Sequence, residues 1–212
     1  MNEDPDILEA LKRHNIQHLI HFTPAVSLAN ILECNAIMSV KRLYEFAKQT
    51  GNTCLLDACY NNDPNRFDAR TDCINLSLQK PNLRLFYVFR GRLPEYMGTP
   101  ETGWCVLEID PTYCAHPGVS FTPTNAATGR GRGAFQSQSG IDGFERLFNS
   151  PTATVPSDPQ AEVLYPGEIP FSAVQSICLK SQEALATIRS GLEALGIDHA
   201  ALPFKLVPEY FR

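Results

Sequence analysis

The chain has 212 residues, 43% of them hydrophobic and 19% charged, with a formal net charge of -5. That is globular composition with enough apolar material for one substantial core, and it excludes a disordered tail protein. The acid excess excludes broad electrostatic coating of a nucleic acid, because phosphate affinity comes from Lys and Arg, while leaving room for a local basic groove.

Ile7, Leu8 and Leu11 recur at helical spacing between Asp6 and Asn15 and predict a short amphipathic helix ending near Asn15. Ile16 to Thr23 reads as a strand, and Pro24 opens a helix through Val26, Leu28, Ile31 and Leu32, proline being tolerated in a first turn. Ala36-Ile37-Met38 is extended, and a helix runs from about Val40 to Lys48. Gly51 to Asp72 is polar and turn-rich, the composition of a long loop. Strands follow at Cys73 to Leu78, Leu83 to Phe89 and Trp104 to Ile109, the first two separated by the turn Gln79-Lys80-Pro81-Asn82. Alternation sends Cys73, Asn75 and Ser77 to one face of the first of these and Ile74, Leu76 and Leu78 to the other.

Thr122 to Gly140 holds Gly129, Gly131 and Gly133 interleaved with Arg130 and Arg132 and lacks apolar periodicity, which reads either as a functional loop or as a flexible surface loop. A short helix from Asp142 to Asn149 precedes a proline-rich turn. The strand Gln160-Ala161-Glu162-Val163-Leu164 then sends Gln160, Glu162 and Leu164 to one face. If that face lines a cleft, the Glu162 carboxylate can hold a sugar hydroxyl or stabilise positive charge growing on an anomeric carbon; otherwise it meets only water. Strands near Ile169 to Leu179, a helix from Gln182 to Leu195 and an extended piece from Pro203 to Val207 complete the chain. No repeat and no linker divides it, so residues 1 to 212 read as a single α+β domain with central mixed or antiparallel sheets flanked by helices.

Seven cysteines are scattered without a CxxC pair and in odd number, which argues against zinc and against a disulfide framework; no metal is expected. No apolar run is long enough to span a bilayer, and the N-terminus Met1-Asn2-Glu3-Asp4-Pro5-Asp6 is acidic, unlike a signal peptide. A cytoplasmic chain without membrane attachment, and a monomer, is expected.

Three segments in order carry a family resemblance: His21-Phe22-Thr23 before a helix; Asn65-Arg66-Phe67-Asp68 before Cys73-Ile74-Asn75-Leu76-Ser77-Leu78-Gln79-Lys80-Pro81-Asn82; and Pro159-Gln160-Ala161-Glu162-Val163-Leu164. Together with Phe121-Thr122-Pro123-Thr124-Asn125-Ala126-Ala127, they resemble the DarT toxins, which transfer ADP-ribose from NAD+ to nucleic-acid bases. The resemblance implies an ADP-ribosyltransferase-like fold, NAD+ as co-substrate, and pentosyl transfer to a base of single-stranded DNA with release of nicotinamide. It also implies a toxin partnered by an antitoxin, either a macrodomain hydrolase or a NADAR-type glycohydrolase. The strand with Ser77 followed by Pro81-Asn82 is more similar to the guanine-directed branch than to the thymine-directed one.

Residue by residue, the resemblance makes Glu162 the catalytic carboxylate, opposite the developing cation. Arg66 binds the dinucleotide; its guanidinium, with a pKa above about 12, suits diphosphate and substrate positioning better than proton abstraction. Arg70 is the alternative arginine. His21 and Thr23 meet the dinucleotide, the Phe22 backbone the nicotinamide amide, and Ser77 lies beside the nicotinamide ribose. Asn125, Arg130, Arg132 and Gln160 are assigned to the nucleic acid. Three other readings stand beside this one: a catalytically inactive binding module of the same fold, a transferase acting on RNA or protein, and a cysteine or serine hydrolase, for which no local signature exists.

Overall fold

The computed structural model describes residues 3–52, 69–84, 99, 102–128 and 136–211. Helix α1 (Pro5–Arg13) starts where Asp4 caps it, its carboxylate accepting from the backbone N–H groups of Asp6 and Ile7, and it buries Ile7, Ala10 and Leu11. Strand β1 (Leu19–Pro24) is followed by α2 (Ser27–Glu33), β2 (Ala36–Met38) and α3 (Val40–Thr50), and then by β3 (Cys73–Leu78), β4 (Trp104–Ile109) and β5 (Ser120–Thr122). The second half holds α4 (Gly140–Glu145), β6 (Glu162–Pro166), β7 (Glu168–Pro170), β8 (Val174–Leu179), α5 (Gln182–Ala194) and β9 (Phe204–Leu206).

Seven strands form one sheet in the order β5-β6-β3-β1-β4-β8-β9, antiparallel throughout except for the β8–β9 pair. The α+β class and the largely antiparallel central sheet agree with the sequence reading. All six residues of β4 are buried, as befits the strand between β1 and β8. A core of Leu19, Leu76, Leu107, Val163 and Ile177 packs with α1, α2 and α5 on one side of the sheet.

The feature that positions the site is a fork in this sheet. Strands β1 and β3 share only the pairs Leu19–Leu78 and Ile20–Ser77. Beyond them β1 continues beside β4 as far as Pro24–Trp104, while β3 continues beside β6 as far as Cys73–Pro166. A sheet that splits in this way opens a crevice lined by backbone edges from both branches, and His21 is the first residue of β1 past the split.

Three expectations are corrected. Pro24 ends β1, paired with Trp104, and α2 begins only at Ser27; the fixed φ of proline and its missing N–H suit a strand end as well as a helix start. The strand before Glu162 starts at Glu162 itself, because Asp158 accepts the Gln160 N–H on its carboxylate and the Ala161 N–H on its carbonyl, closing a turn. Gln160 therefore sits in that turn and not on the strand face with Glu162. Leu83 and Arg84 are helical, and the rest of the strand expected to Phe89 lies outside the described residues. The strands expected near Ile169 to Leu179 are β7 and β8, separated by a 3-10 turn at Phe171–Ala173.

Two buried anchors hold the periphery. His14 is fully buried, stacked on Phe148 at 3.9 Å, and its Nδ1 lies 2.6 Å from the Ala153 carbonyl; it ties α1 to the segment that leads into β6. Glu108 on β4 accepts from the Tyr210 hydroxyl at 2.9 Å and from Lys205 Nζ at 3.2 Å, pinning the last turn of the described chain to the middle of the sheet. Burial pushes the Glu108 carboxyl up, but Tyr210, His18, Lys205 and Ser176 outweigh it and hold it below the ordinary value of 4.5. Tyr210→Phe is expected to cost about 1–3 kcal/mol, the range for a lost hydrogen bond to a buried charge, because Lys205 is half-exposed and compensates little. A folded-state carboxyl held low adds stability above its unfolded pKa and loses it as pH falls. The variant's deficit in melting temperature should therefore be full at pH 7 and shrink below pH 4.5.

Candidate active site

Glu162 opens β6 and is 4% exposed. A buried carboxylate is costly unless hydrogen bonds replace its water, and three N–H donors converge on this one. Asn125 Nδ2 donates to Oε1 at 2.9 Å, the Ala126 backbone N–H to Oε2 at 3.0 Å, and Asn75 Nδ2 to Oε2 at 3.2 Å. Local chain geometry explains two of them. Thr122, the last residue of β5, pairs with Glu162, and after Pro123-Thr124 the chain turns back over the start of β6. In that turn the Asn125 side-chain oxygen accepts the Ala127 N–H at 3.0 Å, which fixes which end of the amide is oxygen and aims Nδ2 at the carboxylate.

The third donor comes from β3. Asn75 pairs with Leu164, so it shares a face of the sheet with Glu162. Ser77, paired with Ile20, is on that face too and is 7% exposed. Phe22 lies there as well, partly buried, its ring 5.9 Å from that of Trp104.

His21 and Thr23 alternate to the opposite side of β1, and His21 reaches the site only because the strands part beside it. Its Nδ1 lies 3.3 Å from the Asn75 carbonyl oxygen. A carbonyl only accepts, so Nδ1 carries the proton of the neutral ring and Nε2 is left as an acceptor. Burial lowers the His21 pKa below 6.5, and the hydrogen bond to Asn75 only partly opposes it. The imidazole is thus neutral at pH 7. Asn75 consequently touches both groups: its backbone orients the imidazole and its side chain holds the carboxylate. Thr23, 7% exposed, pairs with Cys105 beyond the fork.

Of the other residues expected at a site, Arg66, Arg130 and Arg132 lie outside the described residues, and Gln160 is half-buried in its turn. The alternative arginine, Arg70, is placed beside β3: Nε donates to Asp72 at 3.1 Å and Nη2 lies 2.7 Å from Cys73 Sγ. Phe121 belongs to the core, 1% exposed and edge-on to Phe144 at 5.4 Å. Burial pushes the thiols of Cys73, Cys105 and Cys178 up to about 11, 12 and 12, so these cysteines are inert at neutral pH and none suits a hydrolase nucleophile. Among the described residues no three His, Cys, Asp or Glu side chains are grouped to hold a metal ion, and no helix is long and apolar enough to cross a membrane.

Sequence reasoning missed the carboxylate's donors. The Ala126 contribution is backbone and leaves no residue-type signal. The Asn75 contribution was within reach, since alternation already set Asn75 beside Ser77, but it required knowing that β3 pairs with β6.

Comparison with known proteins sets this geometry in a family. A search of curated proteins found no match. Among solved structures, Thermosipho africanus DarTG in complex with ADP-ribose superposes with a TM-score of 0.62 at 15% identity over 92% of this chain, which spans about half (51%) of that longer protein. Thermus sp. 2.9 DarT in complex with NAD+ gives 0.60 at 13% identity, covering 92% of this chain and 96% of the other. The same Thermus protein in complex with ADP-ribosylated ssDNA gives 0.59 at 12%, with 93% and 97% covered. Identities this low establish a common fold. The family model described as "ssDNA thymidine ADP-ribosyltransferase, DarT" matches residues 20–212, from the first fork residues to the end of the chain, and on that match the chain belongs to the DarT family.

Proposed function

We propose that the chain, acting as one domain over residues 1–212, is an NAD-dependent ADP-ribosyltransferase that modifies a base of single-stranded DNA. The observation that carries this reading is the fork: a buried carboxylate held by three N–H donors and a neutral imidazole, joined through Asn75. A family member solved in complex with NAD+, and again with ADP-ribosylated ssDNA, supports the choice of co-substrate and target.

The residues suit a dinucleotide. His21 Nε2 accepts a ribose hydroxyl, the Ser77 hydroxyl lies by the nicotinamide ribose, and Thr23 and the Phe22 backbone flank the amide end. The diphosphate falls to Arg66. With the nicotinamide ribose seated in the crevice, a nucleophilic nitrogen of the base bonds to its C1, the bond to nicotinamide breaks, the electron pair departs with the nicotinamide ring, and the proton that the base nitrogen loses passes to water. Positive charge spreads over the sugar during this exchange, and Glu162 stabilises it from a position that needs no reorganisation.

Guanine is the base we propose, on the β3 strand with Ser77 and the following Pro81-Asn82; the family description names thymidine. The cellular role that fits is a cytoplasmic toxin acting as a monomer, paired with an ADP-ribosyl glycohydrolase antitoxin of NADAR type. Mass spectrometry of single-stranded oligonucleotides, each lacking one base, after incubation with NAD+ decides the base and the class of target. Loss of the mass increase only without guanine supports the assignment, loss only without thymine transfers it, and no increase on any DNA leaves an inactive module or an RNA or protein target.

The strand is expected to pass the glycine-arginine segment, because a chain of net charge -5 must gather its cations where phosphates run. Replacing Arg130 and Arg132 together by Ala should raise the oligonucleotide KM and flatten its salt dependence by up to about two counterions. NAD+ affinity should not change. Normal modification by the double variant at every salt concentration would assign the strand path elsewhere.

A further inference from the structure

Asn125 is grouped by sequence with the residues that meet nucleic acid, yet its place in the fold gives it another task. It is 9% exposed, its Nδ2 donates to Glu162 Oε1 at 2.9 Å, and its Oδ1 is occupied by the Ala127 N–H at 3.0 Å. The turn that holds it is closed again by the Thr128 N–H on the Asn125 carbonyl at 3.0 Å. An amide locked at one end by its own backbone has a fixed direction at the other. Glu162 has three rotatable side-chain bonds, and β6 fixes only where they begin. Asn125 on Oε1, with Ala126 and Asn75 on Oε2, sets the plane of the carboxylate.

We infer that Asn125 is a positioning residue for Glu162, holding its carboxylate in the orientation the transfer step requires, and that Asn75 assists it from the other oxygen. This rests on the reading of Glu162 as the catalytic carboxylate.

Asn125→Asp tests it with almost no change of shape. The substitution replaces an N–H donor by a second carboxylate within hydrogen-bond distance of the first, and two carboxylates that close cannot both be ionised comfortably. They titrate as a pair. When the pair keeps one proton, the introduced carboxylic acid donates to Glu162 much as the asparagine did; when the proton leaves, the donor is lost and the two groups repel. The variant's kcat should therefore be at least about tenfold below the parent on the alkaline side, the usual scale for losing an orienting partner, and should recover as pH falls where the parent does not. Asn125→Ala should lose kcat to a similar degree at every pH. For both variants KM for NAD+ should move less than kcat.

Thermal melting establishes that each variant is folded, and Asn125→Ser supplies the kcat readout if the aspartate variant is not. Glu162→Gln is run beside them. An inactive glutamine variant together with Asn125 variants of parental kcat and parental pH profile overturns the positioning role alone. A fully active glutamine variant overturns the reading of Glu162 on which the role rests.

Discussion

Glu162→Gln is expected to reduce ADP-ribose transfer by about 100-fold or more, the scale for removing a main electrostatic stabiliser. The surroundings of the carboxylate also make this a less silent substitution than its shape suggests. Among the described residues the three groups on the carboxylate are N–H donors, so the NH2 end of a glutamine must face one of them. Facing the partners of Oε2, it meets the Ala126 N–H, which belongs to the backbone and cannot turn away. Facing Asn125, it meets an amide whose flip would set its own NH2 against the Ala127 N–H. One donor is left opposed to another in either orientation, at a cost of about 1–3 kcal/mol in stability. Melting temperature and single-turnover rate should both fall, and the rate should remain low at temperatures where the variant is fully folded. A folded variant within a few-fold of parental rate would remove Glu162 from the centre of the chemistry.

How far the sequence carried depended on the range of the interactions involved. Strands β3 and β4 were legible to the residue, since alternation on one and an apolar run interrupted only by Glu108 on the other are local signals. Pro24 and Gln160 were misplaced because each depends on a partner elsewhere: the pairing of Pro24 with Trp104 extends β1, and the Asp158 turn shortens β6. For the site, the carboxylate was visible as a residue and its environment was not. The fork that brings His21 beside Asn75 is a property of sheet order, and the β3–β6 pairing that sets Asn75 on Glu162 joins residues 87 positions apart in sequence. Nothing in the pattern of either strand announces where β1 and β3 stop pairing.

That fork leads to the second large expectation, His21→Ala, which should weaken NAD+ binding by about 1–3 kcal/mol, roughly 5- to 150-fold in Kd. The imidazole contributes as an acceptor at Nε2, a role it holds only while neutral, because its other nitrogen is bound to the Asn75 carbonyl and carries the proton. Burial lowers the His21 pKa, so the acceptor is fully present at and above pH 6.5 and is lost only as pH falls through the lowered folded-state value. The same shift acts on stability: below 6.5 the unfolded chain takes up a proton at His21 that the folded chain resists, so the native state weakens on the acid side. Calorimetry should then find that NAD+ affinity of the parent is level above pH 6.5 and declines below it, whereas the alanine variant binds weakly with no such decline. Parental affinity in His21→Ala, or an acid decline of equal size in both proteins, would place the ribose contact on another side chain and leave His21 as a brace between β1 and β3.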